Sequence, residues 1–349
     1  MAKRFVGSSF LTTFALVFLA IAALFAADTY LARMESSESA IEATRLFNEG
    51  QAMVARGDNL NAIERIRDAL SIQRTNRYYQ QSLAEAQLAA GRTADAEVTL
   101  RGLLESDATD GQANLIMGRV LAKEGRFPEA ISYFHRAIYG QWGQDVPRNR
   151  LRARFELIDL LAQRDSKEDL LAELLPVQDQ VPRDLKTRTR MGRLFLRAGS
   201  PARAIDIFRG IVKEAPFDAD GYAGLGESEF TEGNYPAATR AFESALRLAP
   251  ADDSVRKKLD LCHELLALDP TLRGLDPAER LNRSRKLIEL AGEELSKCVA
   301  AGSLNQKAGR VTESNVDLAE EIWQARAKEC KSQPAADDPL ALVMARLAR

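Results

Sequence analysis

The sequence predicts an all-α chain: an N-terminal transmembrane helix, a stack of helix pairs, and a C-terminal helical segment. Three observations predict it. Glycines recur at a spacing of 34 residues, small and large apolar residues alternate in the same register, and one uncharged apolar run opens the chain. Composition agrees, with aromatics at 7% and alanine and leucine plentiful, since those two residues have the best helix propensities. A formal net charge of −2 over 349 residues gives no reason to expect nucleic acid as a partner.

The opening run, Phe5 to Ala27, contains no charge. At 1.5 Å rise per residue it covers a hydrocarbon core of about 30 Å. Lys3 and Arg4 precede it and Asp28 follows, so the positive-inside rule places the N-terminus in the cytoplasm and exports the body. A cleaved signal peptide is the competing reading, with Ala20-Ile21-Ala22 supplying the small residues. Cleavage there would leave Ala23 to Ala27 on the mature chain, and the run exceeds the usual apolar core of a signal peptide. Residues 1–27 are therefore read as an uncleaved anchor, and 28–42 as a polar spacer.

The glycine period runs through Gly57, Gly91 and Gly125, and again through Gly199 and Gly233. Between Gly125 and Gly199 lie two periods plus six residues. Five residues after each glycine stands an alanine: Ala62, Ala96, Ala130, Ala204, Ala238. Four further on stands Ile66, Leu100, Phe134, Phe208 or Phe242, and three after that Ala69, Leu103, Ala137, Ile211 or Ala245. A series at i, i+4, i+7 is one face of a helix. Upstream of three of the turns lie Met117-Gly118, Met191-Gly192 and Leu225-Gly226, and Pro216 and Pro250 stand where helices must stop.

This pattern resembles the tetratricopeptide repeat, with its 34-residue period, L-G, A-x3-F and closing proline. The resemblance implies a right-handed superhelix, an α-solenoid, over residues 43–252. Five copies fit at 43–76, 77–110, 111–144, 185–218 and 219–252, and a degenerate sixth fits 151–184, where Asp165 replaces the glycine. Residues 145–150 lengthen one connection, next to Trp142. Residues 253–268 fit a solvating cap, with Leu259, Cys262 and Leu266 on one side.

The resemblance ends near residue 268. Beyond it, Asp276-Pro277 reads as a helix start. A helix over 277–300 aligns Leu281, Ile288 and Leu295. A second, over 312–331, begins at Thr312 and aligns Val316, Ala319, Trp323 and Cys330. Residues 338–348 read as a docking helix. If the two long helices form an antiparallel hairpin, Cys298 and Cys330 stand at opposite ends, about 27 Å apart, too far for a disulfide. Three widely spaced cysteines, Cys262, Cys298 and Cys330, also exclude a disulfide framework or a zinc site.

Nothing in the chain carries catalytic chemistry. His135 and His263 have no partner at metal spacing, and no phosphate-binding, dinucleotide-binding or nucleophile motif is present. The expectation is a non-enzymatic protein without cofactor or metal. Proteins with this repeat commonly bind a peptide or helix along the face formed by the first helix of each pair. The resemblance assigns to that face Tyr78, Glu85, Leu115, Arg119, Lys186, Arg193, Asp220 and Glu227, and from the degenerate copy Arg152 and Phe155. Its middle is then basic, suited to an acidic or C-terminal peptide, and its last repeat acidic; solvated surface charge is the plainer alternative. The lysine–asparagine clamp of chaperone-binding members is absent, since Phe47 and Gln51 hold those positions. Bacterial inner-membrane proteins that display such repeats in the periplasm offer the nearest analogy. It implies a tethered scaffold for protein partners in secretion or envelope assembly. A fixed structural subunit of a larger membrane complex is the second expectation, and an enzyme with its chemistry in 276–349 a third.

Overall fold

The computed structural model describes residues 6–178, 180, 184–297, 315–330 and 333–348. Lys3, Arg4, Phe5, Cys298 and Thr312, each of which carries a sequence expectation, lie outside them. The described residues are helical, with one isolated bridge between Asp110 and Gln141. They divide into two compact units, Met1–Leu160 and Leu161–Arg349.

The first unit begins with α1, Val6–Ala55, a single helix of 50 residues. The expected anchor, the spacer at 28–42 and the first helix of the stack are thus one continuous rod. The spacer has no proline or glycine to interrupt it. Phe14, Leu16, Phe18, Leu24 and Phe25 are all exposed, whereas Ala43, Leu46 and Phe47 are buried against Ile63 and Ile66. Among the described residues this helix is long and apolar enough to cross a membrane. There follow α2 (Asn59–Ile72), α3 (Arg77–Ala89), α4 (Thr93–Ser106), α5 (Gly111–Lys123), α6 (Phe127–Tyr139) and α7 (Val146–Gln163), the last running past the boundary between units.

The second unit contains α8 (Lys167–Leu174), a short 3-10 turn (Leu175–Val177), α9 (Leu185–Arg197), α10 (Pro201–Glu214), α11 (Ala219–Glu232), α12 (Tyr235–Leu248) and α13 (Asp253–Leu268). It ends with α14 (Pro277–Ser296), α15 (Asn315–Glu329) and α16 (Pro339–Leu347).

One turn geometry recurs. Gly57, Gly91, Gly125, Gly199 and Gly233 all have φ between 72° and 86°, the left-handed region that glycine enters without steric cost. At each, the next amide reaches back five residues, as in Arg92 N to Gln87 O at 2.8 Å and Asn234 N to Glu229 O at 2.8 Å. This is a helix C-cap that satisfies carbonyls otherwise left unpaired. Asp165 keeps the same register with φ 55°. Its two turn bonds are the longest of the set, Asp165 N to Ala162 O at 3.4 Å and Ser166 N to Leu161 O at 3.2 Å.

The small–large alternation is the packing itself. Ala62, Ala96, Ala130, Ala204 and Ala238 are fully buried. A Cβ on Gly192 would stand 2.7 Å from the Phe208 ring, and one on Gly50 2.8 Å from Ile66. These glycines let a large side chain of the second helix seat against the backbone of the first.

The C-terminal segment departs from expectation. Cys330 Sγ lies 3.9 Å from the Glu294 carbonyl, so the C-terminal ends of α14 and α15 meet. The helices run side by side in one sense, not as an antiparallel hairpin. The geometric argument against a disulfide therefore fails. Cys330 is disulfide-bonded and Cys262 is free and buried; the expectation for Cys298 lies outside the described residues. The buried line on α14 is also different, Ser284, Leu287 and Ala291 in place of Leu281, Ile288 and Leu295. The helix α16 does dock: Leu340, Val343 and Met344 are buried with Leu265, Leu268, Leu287 and Ala319. Arg346 pairs with Asp269, which is fully buried.

Candidate interaction faces

In the first unit the residues assigned to a binding face come from α3, α5 and α7. These helices are laced by side chains. Gln112 donates to Glu85 at 2.7 Å and accepts from Arg152 at 2.9 Å. Arg119 makes two parallel bonds of 2.6 Å to Glu156 and stands 3.6 Å from Glu85. Hydrogen bonding to Glu156 pushes the Arg119 pKa up, against the opposing effect of burial. Lys123 donates to the Leu88 carbonyl at 2.9 Å. A fork-to-fork arginine–carboxylate pair fixes geometry as well as charge.

The expected basic middle of the face is thus internally neutralised in this unit. Sequence reading placed Arg119 and missed Glu156, four residues after Arg152 on the same helix. Leu115 is fully buried and offers no surface, because it points into the helix-packing core; this corrects its assignment. Phe155 is half-buried. Tyr78 is exposed and meets Phe47 with the rings tilted by 57° and their centroids 5.2 Å apart.

The connection at Trp142 is ordered by more than its length suggests. Gly111 N donates to Gln141 O at 2.8 Å, and Gln141 N to Thr109 O at 2.7 Å. Trp142 Nε1 donates to Ala137 O at 2.9 Å, and Arg152 lies 5.8 Å from the ring centroid. Tyr78, Gln81, Asp110, Gln112 and Trp142 share one open depression.

In the second unit the assigned residues are Lys186 and Arg193 on α9, and Asp220 and Glu227 on α11. All but Glu227, which is half-buried, are exposed. Arg193 lies 3.7 Å from Asp220, and Glu227 pairs with Lys258 of α13. Sequence reading missed the extent of the charge on α9. Lys186, Arg190, Arg193 and Arg197 are all exposed, and the helix contains no acid between Leu185 and Arg197.

Comparison with known proteins agrees with this architecture. The sequence model of the tetratricopeptide repeat family matches residues 82–146 and 189–253. No curated protein matches the chain. Among solved structures, YrrB, described as a tetratricopeptide-repeat protein with an unusual peptide-binding site, is 17% identical. It aligns over 55% of this chain and 96% of its own, with a TM-score of 0.44. The type IV pilus biogenesis factor PilW is 19% identical over 62% of this chain and 98% of its own, TM-score 0.43. The C-terminal part of a repeat protein from Cytophaga hutchinsonii is 12% identical over 84% and 99%, TM-score 0.48. The family model thus matches a stretch in each unit, and over residues 82–146 and 189–253, where helix pairs turn at glycines of one register, the chain is similar to the tetratricopeptide repeat.

Proposed function

We propose that this protein is a membrane-tethered scaffold. In this reading six repeats over 43–252, at the bounds given above, present the faces of their first helices to protein or peptide partners. Residues 5–27 are an uncleaved span with the N-terminus in the cytoplasm and the repeats exported, in a bacterium to the periplasm. The work is assembly or secretion in the envelope, and no step of it is chemical.

The observation that carries the tether is α1. Its apolar N-terminal part is exposed while its C-terminal part is core, so a bilayer is the environment that removes the exposed part from water. Export has separate support in Cys330, which is disulfide-bonded, since such bonds persist in oxidising compartments. The scaffold role rests on the repeat itself and on the exposed, laterally continuous first-helix faces within each unit.

Two measurements test the reading. The intact mass of protein extracted from membranes should include residues 1–22, and a protein trimmed behind Ala22 that washes off with carbonate would sink the anchor. A photo-crosslinker placed at Tyr78 should capture a discrete set of proteins in cells. Absence of any captured protein would count against the scaffold.

A further inference from the structure

A second apolar line runs along α1, apart from the residues that pack on α2. Leu16, Ala20, Ala23 and Ala27 follow one another at alternating spacings of four and three residues. The same alternation continues without a break through Tyr30, Met34, Ser37 and Ile41. All of these residues are exposed. A seven-residue apolar repeat of this kind, held over about three and a half heptads, marks the side of a helix that meets another helix.

The aqueous half of the line is what points to a partner. A bilayer covers the part up to Ala27, and Tyr30 suits the interface by itself. Met34 and Ile41 lie about 10 Å and 21 Å farther along the axis, and Ile41 is 70% exposed. No other line of this stretch is apolar: Leu31 is followed at the same spacing by Glu35, Glu38 and Glu42. Nor does the stack cover it. Ala43 and Phe47 pack with α2, and Ile41 stands about 200° around the helix from Ala43.

We infer that α1 pairs in parallel with α1 of a second copy of this chain, along the line from Leu16 to Ile41. This rests on the tether reading. Two copies anchored in one membrane present the line at the same depth and in the same direction, so they meet in register. A different protein would need the same heptad at the same height. Within the span, Ala20, Ala23 and Ala27 let two backbones approach closely. Beyond it, Met34 and Ile41 leave water against their counterparts. Arg33 and Glu38 take the g and e places that face each other across a parallel pair. Their signs are opposite, so charge favours this direction whatever each does within its own helix.

The test uses the full-length protein in its membrane, with single cysteines placed along α1 and oxidised with copper phenanthroline. Met34→Cys and Ile41→Cys should give a disulfide-linked species of twice the chain mass. Glu35→Cys and Glu42→Cys, on the neighbouring line, and the native protein should not. Two differently tagged copies made together should co-purify in mild detergent. Met34→Glu with Ile41→Glu should lower that recovery by about tenfold or more, while circular dichroism shows an unchanged fold. Equal crosslinking on both lines, or none on either, would overturn the inference. A crosslinked species of any other mass would overturn it in favour of a different partner. Resistance to carbonate reads the tether separately, so a chain that stays in the membrane as a monomer fails only the pairing.

Discussion

The two units dispose of the same kinds of charge in different ways. In the first, arginine and glutamate on neighbouring helices bond to each other: Arg119 to Glu156 and Glu85, and Gln112 between Glu85 and Arg152. In the second, α9 carries four exposed cations along one line, and Arg193 among them lies 3.7 Å from Asp220 of α11. One arrangement stiffens a stack of helices and leaves little net charge to a visitor. The other keeps its cations at the solvent face of the helix. A count of arginines in the sequence cannot separate the two, because the difference lies in which acids come within reach.

The largest effect that would sharpen this comparison is at the buried pair of the second unit. Asp269 is fully buried, accepts from Thr271 at 2.7 Å through Oδ1, and pairs with Arg346 through Oδ2. Arg346→Ala strands half of that carboxylate. It should lower unfolding free energy in urea by about 3 kcal/mol and release α16. A loss under about 1 kcal/mol would mean that water already reaches Asp269.

Arg119→Ala should cost about 1–2 kcal/mol, a charge-assisted pair at partial exposure, whereas Arg193→Ala should change stability by no more than about 0.5 kcal/mol. Equal costs at the two sites would break the contrast between units. Charge reversal at Arg119 is for the same reason a poor probe of partner binding, since it would disturb the fold as well.

A smaller effect tests the shared turn. Asp165 sits at φ 55° with the two longest turn bonds of the series. Asp165→Gly should raise stability by about 0.5 kcal/mol, seen as a higher Tm. Any fall would show that the Asp165 side chain contributes more than its backbone strain costs. The least effect is chemical. Burial pushes the Cys262 thiol up to about 11, slightly offset by a hydrogen bond from its environment at Thr239. At pH 8 the folded protein should alkylate at Cys262 far more slowly than the urea-unfolded chain, and equal rates would contradict its burial.

The stack was legible because its constraints are local and repeated. A 34-residue register of glycine, alanine and a large apolar residue specifies turn, close approach and core together, and Asp165 fell into that register despite its identity. The candidate faces were legible only by position. Leu115 had the right number and the wrong surroundings, because position in a repeat does not report burial. The C-terminal helices were legible as helices, but their direction was not. Apolar lines on α14 and α15 permit parallel or antiparallel packing alike, and the sequence carries no turn signal that chooses between them.

The unbroken helix α1 has a mechanical consequence. An α-helix of 50 residues is about 75 Å long, and it has no proline or glycine between its apolar part and Gly50 at which to hinge. Its far end is core to the first helix pair, through Ala43, Leu46 and Phe47. Any lean or rotation imposed on the apolar part is therefore handed undamped to that pair. A chain joined by a supple leash would search the space around its tether. This one is mounted on a shaft, so the attitude of its first helices is set by whatever grips the other end.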